Sequence, residues 1–367
     1  DWAMMPDLER LIDALGDQGV LALGGGLIGI LFGALAQRSR FCLRAATLEV
    51  AHGSLGKSLT IWLFVFSTAL ISTQLLIVFD LFNTGTVRQL NNVGSLSGAI
   101  IGGLMFGVGM VLTRACASRM LVLSATGNLR ALLSGLVFAV VAQASRDGLL
   151  SPLRSAINGW WTIDGASRDL LVLFHIDNKQ AALFGCAWLL GGLILAFYNR
   201  VSVARVAGAI GVGLTIAAAW RFNFAMAESS FELVPVHALS FTSPSADVLM
   251  FTLSPPGSKL TFDLALIPGV FIGSFIAGTF GRNLKLEGFD GGATMRRYIA
   301  GGACMGFGGV LAGGCAVGAG VSGASVFALT AWIVLWSMWF GAVITDHLID
   351  RPASNFGRVL GGKVLSS

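Results

Sequence analysis

The sequence predicts an all-α, polytopic membrane protein with about nine transmembrane helices and several short, broken or re-entrant helices. Of the 367 residues, 55% are hydrophobic and 12% are charged, and the mean hydropathy is +0.78. Soluble domains carry about 25% charged residues. This composition therefore excludes a soluble enzyme, a disordered chain and a nucleic-acid-binding protein, which would need a basic surface. Apolar stretches recur along the whole chain, which also excludes a single membrane anchor.

Nine stretches are apolar enough to cross a bilayer, which takes about 20 residues per helix. Seven are plain apolar runs, at 19–37, 58–79, 130–145, 181–198, 203–220, 262–280 and 325–346. The other two, 95–127 and 299–323, are rich in glycine and interrupted by cysteine or arginine. Breaks at membrane depth are tolerated where the backbone lines a cavity or packs on protein. We therefore expect discontinuous helices in these two regions.

The spans indicate one transmembrane domain over residues 19–346. We expect two halves, at roughly 19–145 and 181–346, flanked by an N-terminal segment 1–18 and a C-terminal tail 347–367.

Loop charges orient the chain. The connections at 198–205 and 281–298 are basic, which is typical of cytoplasmic loops. The long mixed stretches 146–180 and 221–261 then lie on the opposite side. Nine crossings through these loops place the N-terminus outside and the C-terminus in the cytoplasm.

The two glycine-rich regions contain an internal repeat. Gly102–Cys116 aligns without gaps on Gly301–Cys315, and seven of the fifteen positions are identical. The first copy enters from outside and the second from inside. Inverted halves that meet at mid-membrane are a common plan for transporters, with the substrate site at the repeat interface.

Three segments share one pattern, a cysteine at a break in an apolar run. The first is Arg38–Ala46 around Cys42; the second is Thr113–Arg119 around Cys116, followed by Gly127-Asn-Leu-Arg130; the third is Gly313–Gly323 around Cys315. The other two cysteines, Cys186 and Cys304, lie outside these motifs and are interpreted as packing residues. The odd number of cysteines argues against a disulfide framework.

These segments, in this order and spacing, resemble the YeeE/YedE family of sulfur-compound transporters, whose best-described members take up thiosulfate. The specific parts are Ala-Cys-x-x-Arg with Gly-Asn-Leu-Arg and Gly-Gly-Cys-x-x-Gly, and the resemblance extends from about Gly19 to Gly341. It implies a bacterial inner-membrane protein with an hourglass-shaped helical body and short helices pointing into its middle. It also implies three pathway cysteines, here Cys42, Cys116 and Cys315. A small cytoplasmic sulfur carrier or a rhodanese-like protein is the implied partner.

The candidate substrate-binding residues are the three thiols together with nearby arginines and glycines: Cys42, Cys116, Cys315, Arg40, Arg114, Arg119, Gly313, Gly314 and Gly318. A thiol is a weak donor that can hold an anion loosely, as conduction requires. Helix N-termini exposed by the breaks add N–H donors and positive dipole ends. Arginine concentrates anions at a vestibule, and glycine lets the backbone approach the ligand.

Two other functions stay open at this point. A membrane-bound sulfurtransferase would use a cysteine persulfide, which needs a thiolate stabilised by cations or a helix N-terminus. A transporter of sulfite, sulfate or a selenium compound would use the same residue types. We expect no cofactor and no metal site, since the chain has no Cys-x-x-Cys and its four histidines are scattered.

Overall fold

The computed structural model describes residues 5–87, 90, 92–230, 234–255, 259–288 and 291–350, and this part of the chain is almost entirely helical. Its α-helices are α1 Met5–Ser39, α2 Leu43–Ala51, α3 Lys57–Val78, α4 Leu96–Leu112, α5 Ala117–Ala125, α6 Leu129–Arg146, α7 Ser151–Asn158, α8 Leu170–Phe174, α9 Asn178–Tyr198, α10 Val203–Ser229, α11 Thr242–Leu253, α12 Phe262–Phe280, α13 Gly292–Leu311 and α14 Leu329–Thr345. Two π-helical turns cover Gly318–Gly323 and Asp346–Asp350. Two short 3₁₀ turns cover Thr84–Thr86 and Gly165–Arg168. Strands Gly94–Ser95 and Thr162–Ile163 pair antiparallel.

Eight helical stretches in the described part of the chain are long and apolar enough to cross a membrane, which confirms the predicted fold class. They are Arg10–Ala51, Lys57–Val78, Leu96–Ala125, Leu129–Arg146, Asn178–Tyr198, Val203–Ser229, Phe262–Phe280 and Leu329–Asp350. The predicted crossing at 299–323 falls on α13, a helix of 20 residues, and on the π-helical turn that follows it. Helix α13 packs against both α4 and α6.

Both regions that were predicted to be discontinuous are broken. The region 95–127 divides into α4 and α5, and the region 299–323 divides into α13 and the π-helical turn Gly318–Gly323. The breaks are packed on protein, because Cys116 and Cys315 just beyond them are 0% and 1% exposed. This is the condition under which irregular backbone is tolerated at membrane depth.

The helix boundaries near the two ends of the chain differ from the predicted segment boundaries. Helix α1 reaches back to Met5 across a kink at Gly16, where φ is 72°. Of the predicted tail 347–367, residues 347–350 belong to a π-helical turn, and 351–367 lie outside the described residues. The division into segments 1–18, 19–346 and 347–367 stays a prediction.

Helices α1 and α12 run parallel in close backbone contact. A Cβ atom on Gly25, Gly29 or Gly33 would lie 2.2–2.6 Å from a carbonyl oxygen of α12. The oxygens belong to Phe262, Leu266 and Val270 in turn, so the contact recurs at every fourth residue along both helices. Small residues at this spacing let membrane helices approach closely and gain van der Waals contact.

The repeat glycines form the corresponding contact in the middle of the fold. Helices α4 and α13 pack antiparallel, with Gly102 against Gly308 and Gly109 against Gly301. On their other faces α4 contacts α14 through Gly103 and Gly107, and α13 contacts α6 through Gly302 and Gly306. Each matched pair of glycines therefore makes the equivalent contact in the two copies, with α6 and α14 in equivalent places. The packing supports an inverted repeat.

We predict that Gly33→Ala destabilises the protein while Gly26→Ala, on the same helix, does not. A Cβ at Gly33 would meet the Val270 carbonyl oxygen at 2.2 Å, whereas at Gly26 nothing lies within 4 Å. Overpacking costs about 1–3 kcal/mol, and alanine in a helix is favoured over glycine by up to about 1 kcal/mol. Thermal unfolding midpoints of the purified proteins in detergent measure the difference. Equal shifts of the midpoint in both variants would contradict the close contact between α1 and α12.

Candidate functional site

The three motif cysteines share one local structure. Each follows a long helix by way of a residue with positive φ: Arg40 (58°) two residues before Cys42, Arg114 (58°) before Cys116 and Gly313 (77°) before Cys315. A left-handed residue after the last helical turn is a common helix C-terminus, because it satisfies the last carbonyls. The turn then leads directly into a short helix.

Each cysteine begins the short helix that follows it. Cys42 and Cys116 are the N-cap residues of α2 and α5, and Cys315 precedes the π-helical turn Gly318–Gly323. The backbone N–H groups of Ala45 and Arg119 interact with the thiols of Cys42 and Cys116 without forming a cap hydrogen bond. In the third case the Gly318 N–H donates to the Cys315 Sγ at 3.4 Å. The three thiols therefore lie at positive helix ends.

Cys42 and Cys116 lie together. Their thiols are close enough to interact electrostatically, and they are 9% and 0% exposed. The Cys116 Sγ lies 3.5 Å from the Ser118 Oγ. Arg119 lies beside both thiols, and its Nη1 donates to the Gln37 Oε1 at 3.3 Å. The structure thus joins the first and second motifs into one pair of thiols with an adjacent guanidinium.

A cluster of charges lies near this pair. The Arg297 Nη2 donates to the Asp350 Oδ1 at 2.7 Å and to the Val111 carbonyl oxygen at 3.1 Å. The Arg44 Nη2 lies 3.8 Å from the Asp350 Oδ2, and Arg44 interacts electrostatically with Cys42 and Arg114. These side chains are about one-fifth exposed. The cluster is therefore cationic, with Asp350 as its carboxylate.

Cys315 lies at the other end of the α4–α13 pair. A Cβ on Gly98 would be 2.7 Å from the Leu311 carbonyl oxygen, and one on Gly301 would be 2.9 Å from the Thr113 backbone nitrogen. Gly98 and Thr113 mark the two ends of α4, about 22 Å apart at 1.5 Å per residue. The breaks that follow α4 and α13 are therefore at opposite ends of the pair, which we name the Cys116 end and the Cys315 end.

A cavity of about 360 Å³ opens next to Cys315. Gly313 and Gly318, which bracket the cysteine, both line it. A Cβ on Gly318 would meet the Ser240 Oγ at 2.6 Å, so glycine lets the π-helical turn lie against this part of the wall. The ionisable side chains of the wall are Arg146, His237, Asp247 and Asp263.

The four ionisable side chains of this wall all have a partner of the opposite type. Arg146 donates to the carboxylates of Asp247 and Asp147, and the His237 Nε2 lies 3.6 Å from the Asp263 Oδ2. The cavity thus presents polar groups and a helix start rather than a row of open cations.

The structure divides the predicted site residues into two groups. Cys42, Cys116, Arg40, Arg114 and Arg119 lie at the Cys116 end, and Arg40 and Arg114 are exposed there. Gly313, Gly314, Cys315 and Gly318 lie at the Cys315 end. Cys186 on α9 and Cys304 on α13 are half-buried, outside the three helix breaks.

Sequence reasoning missed several polar residues of both ends. Gln37, Arg44, Arg297 and Asp350 meet at or near the Cys116 end through contacts between residues far apart in the chain. His237, Ser240 and Asp263 reach the Cys315 end from a loop and from the start of α12. Arg44 belongs to the first motif and could have been predicted from it. The other residues lie outside the three motifs, and nothing in their spacing predicts these contacts.

We predict that single-cysteine variants label from opposite sides of the membrane. A charged, membrane-impermeant thiol reagent added from the Cys315 side should label a chain whose single cysteine is Cys315. It should not label chains that keep Cys42 or Cys116, which should label from the other side. Labelling should be slow, since these thiols are at most 9% exposed. A permeant maleimide is the control for total reactive thiol. Labelling of all three from one side would contradict the arrangement.

Comparison with known proteins identifies the family of this chain. A family model described as sulphur transport matches residues 38–344, a range that includes all three motif cysteines and both copies of the repeat. The chain is 25% identical over 346 residues to the thiosulfate transporter TsuA of Escherichia coli (strain K12), covering 90% of this chain and 95% of the relative. It is also 25% identical over 322 residues to the thiosulfate transporter TsuA of Spirochaeta thermophila (strain ATCC 700085 / DSM 6578 / Z-1203), covering 84% and 93%. The chain therefore belongs to the sulphur-transport family.

Proposed function

We propose that this protein imports thiosulfate, or a closely related sulfur oxyanion, across the bacterial inner membrane along a pathway lined by Cys42, Cys116 and Cys315. The proposed N-terminus is outside and the C-terminus is cytoplasmic, so the Cys315 end faces outward. The observation that carries the proposal is the placement of all three thiols at the starts of short buried helices. Thiosulfate transporters among the relatives support the choice of anion.

The energetic problem for such a protein is the charge of the anion. Thiosulfate is a dianion with oxygens that accept hydrogen bonds and a soft terminal sulfur. An unshielded ion in hydrocarbon costs tens of kcal/mol, so donors must replace its water. Thiols and backbone N–H groups at helix starts supply donors without a full positive charge. They hold the ion weakly enough for it to leave.

Entry occurs, in this proposal, through the cavity beside Cys315. The dipole of the π-helical turn and its Gly318 N–H face the bound ion together with the Cys315 thiol. Arg146 and His237 are already paired with carboxylates, so they do not trap the ion. The intact anion then passes to the pair formed by Cys116 and Cys42.

Exit takes the ion past Arg119 to the cluster at the Cys116 end. Arg44 and Arg297 would attract the ion, but both are engaged by Asp350. The carboxylate lowers the local positive potential, which favours release into the cytoplasm. A sulfur carrier or a rhodanese-like protein that consumes the sulfur there would make uptake directional; this partner is part of the proposal.

We predict that uptake of radiolabelled thiosulfate into liposomes depends on the three motif cysteines and not on the other two. Cys42→Ala, Cys116→Ala and Cys315→Ala should each lower the rate about tenfold or more, the effect of losing a hydrogen bond to a charged group. Cys186→Ala and Cys304→Ala are matched controls and should transport like the unsubstituted chain.

Two results would contradict the proposal. One is no uptake by the unsubstituted, monodisperse protein. The other is normal uptake by all three motif variants. Size-exclusion profiles establish that each variant is folded before its rate is compared.

Serine variants at the same positions separate an anion relay from a sulfurtransferase. In the second case a thiolate attacks the terminal sulfur of thiosulfate, a new S–S bond forms, and sulfite leaves with the electron pair of the broken bond. Serine keeps a hydrogen-bond donor but cannot form a persulfide. Partial uptake with serine supports the relay, whereas sulfite release that stops with serine supports the enzyme.

A further inference from the structure

A second cavity, of about 500 Å³, lies at the Cys315 end on the other side of Gly313. Its wall is formed by the starts of α4 and α14, by α7 and by the end of α13. Gly313 also lines the cavity beside Cys315. Its φ is 77°, and a Cβ there would meet nothing within 4 Å. The turn before Cys315 thus borders both cavities.

A buried arginine forms part of this wall. Arg168 is 7% exposed; its Nη1 donates to the Asn92 carbonyl oxygen and its Nη2 to the Thr330 Oγ1 at 2.8 Å. Its Nε is buried and has no hydrogen-bond partner. Burial lowers the pKa of the guanidinium, but arginine stays charged in proteins.

This charge has only neutral acceptors. Among the described residues that line the cavity there is no Asp or Glu, and the acceptors on Arg168 are a carbonyl and a hydroxyl. A buried charge without a counter-ion costs several kcal/mol. An anion in the cavity would remove that cost.

Two helix starts add to the positive potential. Ser95 caps α4, with its Oγ accepting from the Gly98 N–H at 2.8 Å, and Thr330 is the second residue of α14. Each helix has 17 residues, and each N-terminus carries about half a positive charge. The C-terminal ends of α7 and α13 also line the cavity and carry about half a negative charge each. With the guanidinium the site keeps a net charge of about +1, which favours an anion. Asn158, whose Oδ1 is buried without a partner, and Thr162 contribute polar side chains.

We propose that this cavity is a second site for a divalent tetrahedral oxyanion, which loads the transporter at the Cys315 end. No cysteine is among the described residues that line it. The site therefore binds sulfate and thiosulfate alike, and discrimination is left to the thiols. Its role in loading rests on the proposed function, whereas its affinity for an oxyanion does not.

The test is equilibrium binding of radiolabelled sulfate to the purified full chain, with and without Cys315→Ala. Saturable binding is expected in both. Arg168→Gln should weaken it about tenfold or more, because a charge-assisted hydrogen-bonding group is lost, and Arg168→Lys should retain part of it. Lys179→Gln, at an exposed lysine near the start of α9, is the matched control and should bind sulfate normally.

A second variant decides the case if Arg168→Gln does not fold. Asn158→Asp has nearly the same shape and leaves both described hydrogen bonds of Arg168 intact, but it adds a negative charge to the cavity. It should weaken sulfate binding by a similar factor. Normal sulfate binding by Asn158→Asp, or by folded Arg168→Gln, would overturn the proposal, as would sulfate binding that is lost with Cys315→Ala.

Transport measurements distinguish a failure of the thiol pathway from a failure of the second oxyanion site. If the cysteine variants transport normally while sulfate binding still depends on Arg168, the thiol pathway fails and the second site stands. If the cysteine variants lose uptake while Arg168→Gln binds sulfate normally, the thiol pathway stands and the second site fails.

Discussion

The structure depends on one contact, the antiparallel packing of α4 against α13 through glycine. Inside a bilayer every backbone polar group must be satisfied by the protein itself, and a broken helix leaves such groups at its ends. Gly102, Gly109, Gly301 and Gly308 bring the two backbones within van der Waals contact. This contact buries both breaks in protein, so the short helices can begin at membrane depth. A larger side chain at these glycines would separate the helices and expose the breaks.

The breaks give the protein its chemistry. A continuous helix has no free N–H groups in its middle, whereas each break creates a new positive helix end there. Cysteine at that position adds a weak, polarisable donor. The repeat supplies one positive helix end at the Cys116 end and one at the Cys315 end of the α4–α13 pair. The first motif adds a third beside Cys116. Arg119 is the full charge beside the Cys42 and Cys116 thiols. Other charges at the two ends are neutralised in part by Asp350 and by the carboxylates beside Cys315.

The sequence predicted the features that depend on local pattern. Hydropathy located most spans to within a few residues, but α1 begins 14 residues before the predicted span and α10 ends nine residues after it. Glycine and cysteine spacing located the repeat and the three breaks. Spacing could not show that Arg40 and Arg114 adopt positive φ like Gly313, because arginine rarely does so. Nor could it bring Arg297 to Asp350, or Arg168 to Thr330, since these contacts join distant parts of the chain.

The most direct test of the thiol pathway is a cryo-electron microscopy structure of the full chain with thiosulfate. The account predicts density for the anion against the Cys315 Sγ and the Gly318 N–H, or between the Cys42 and Cys116 thiols. Anion density that touches none of these three cysteines would contradict it.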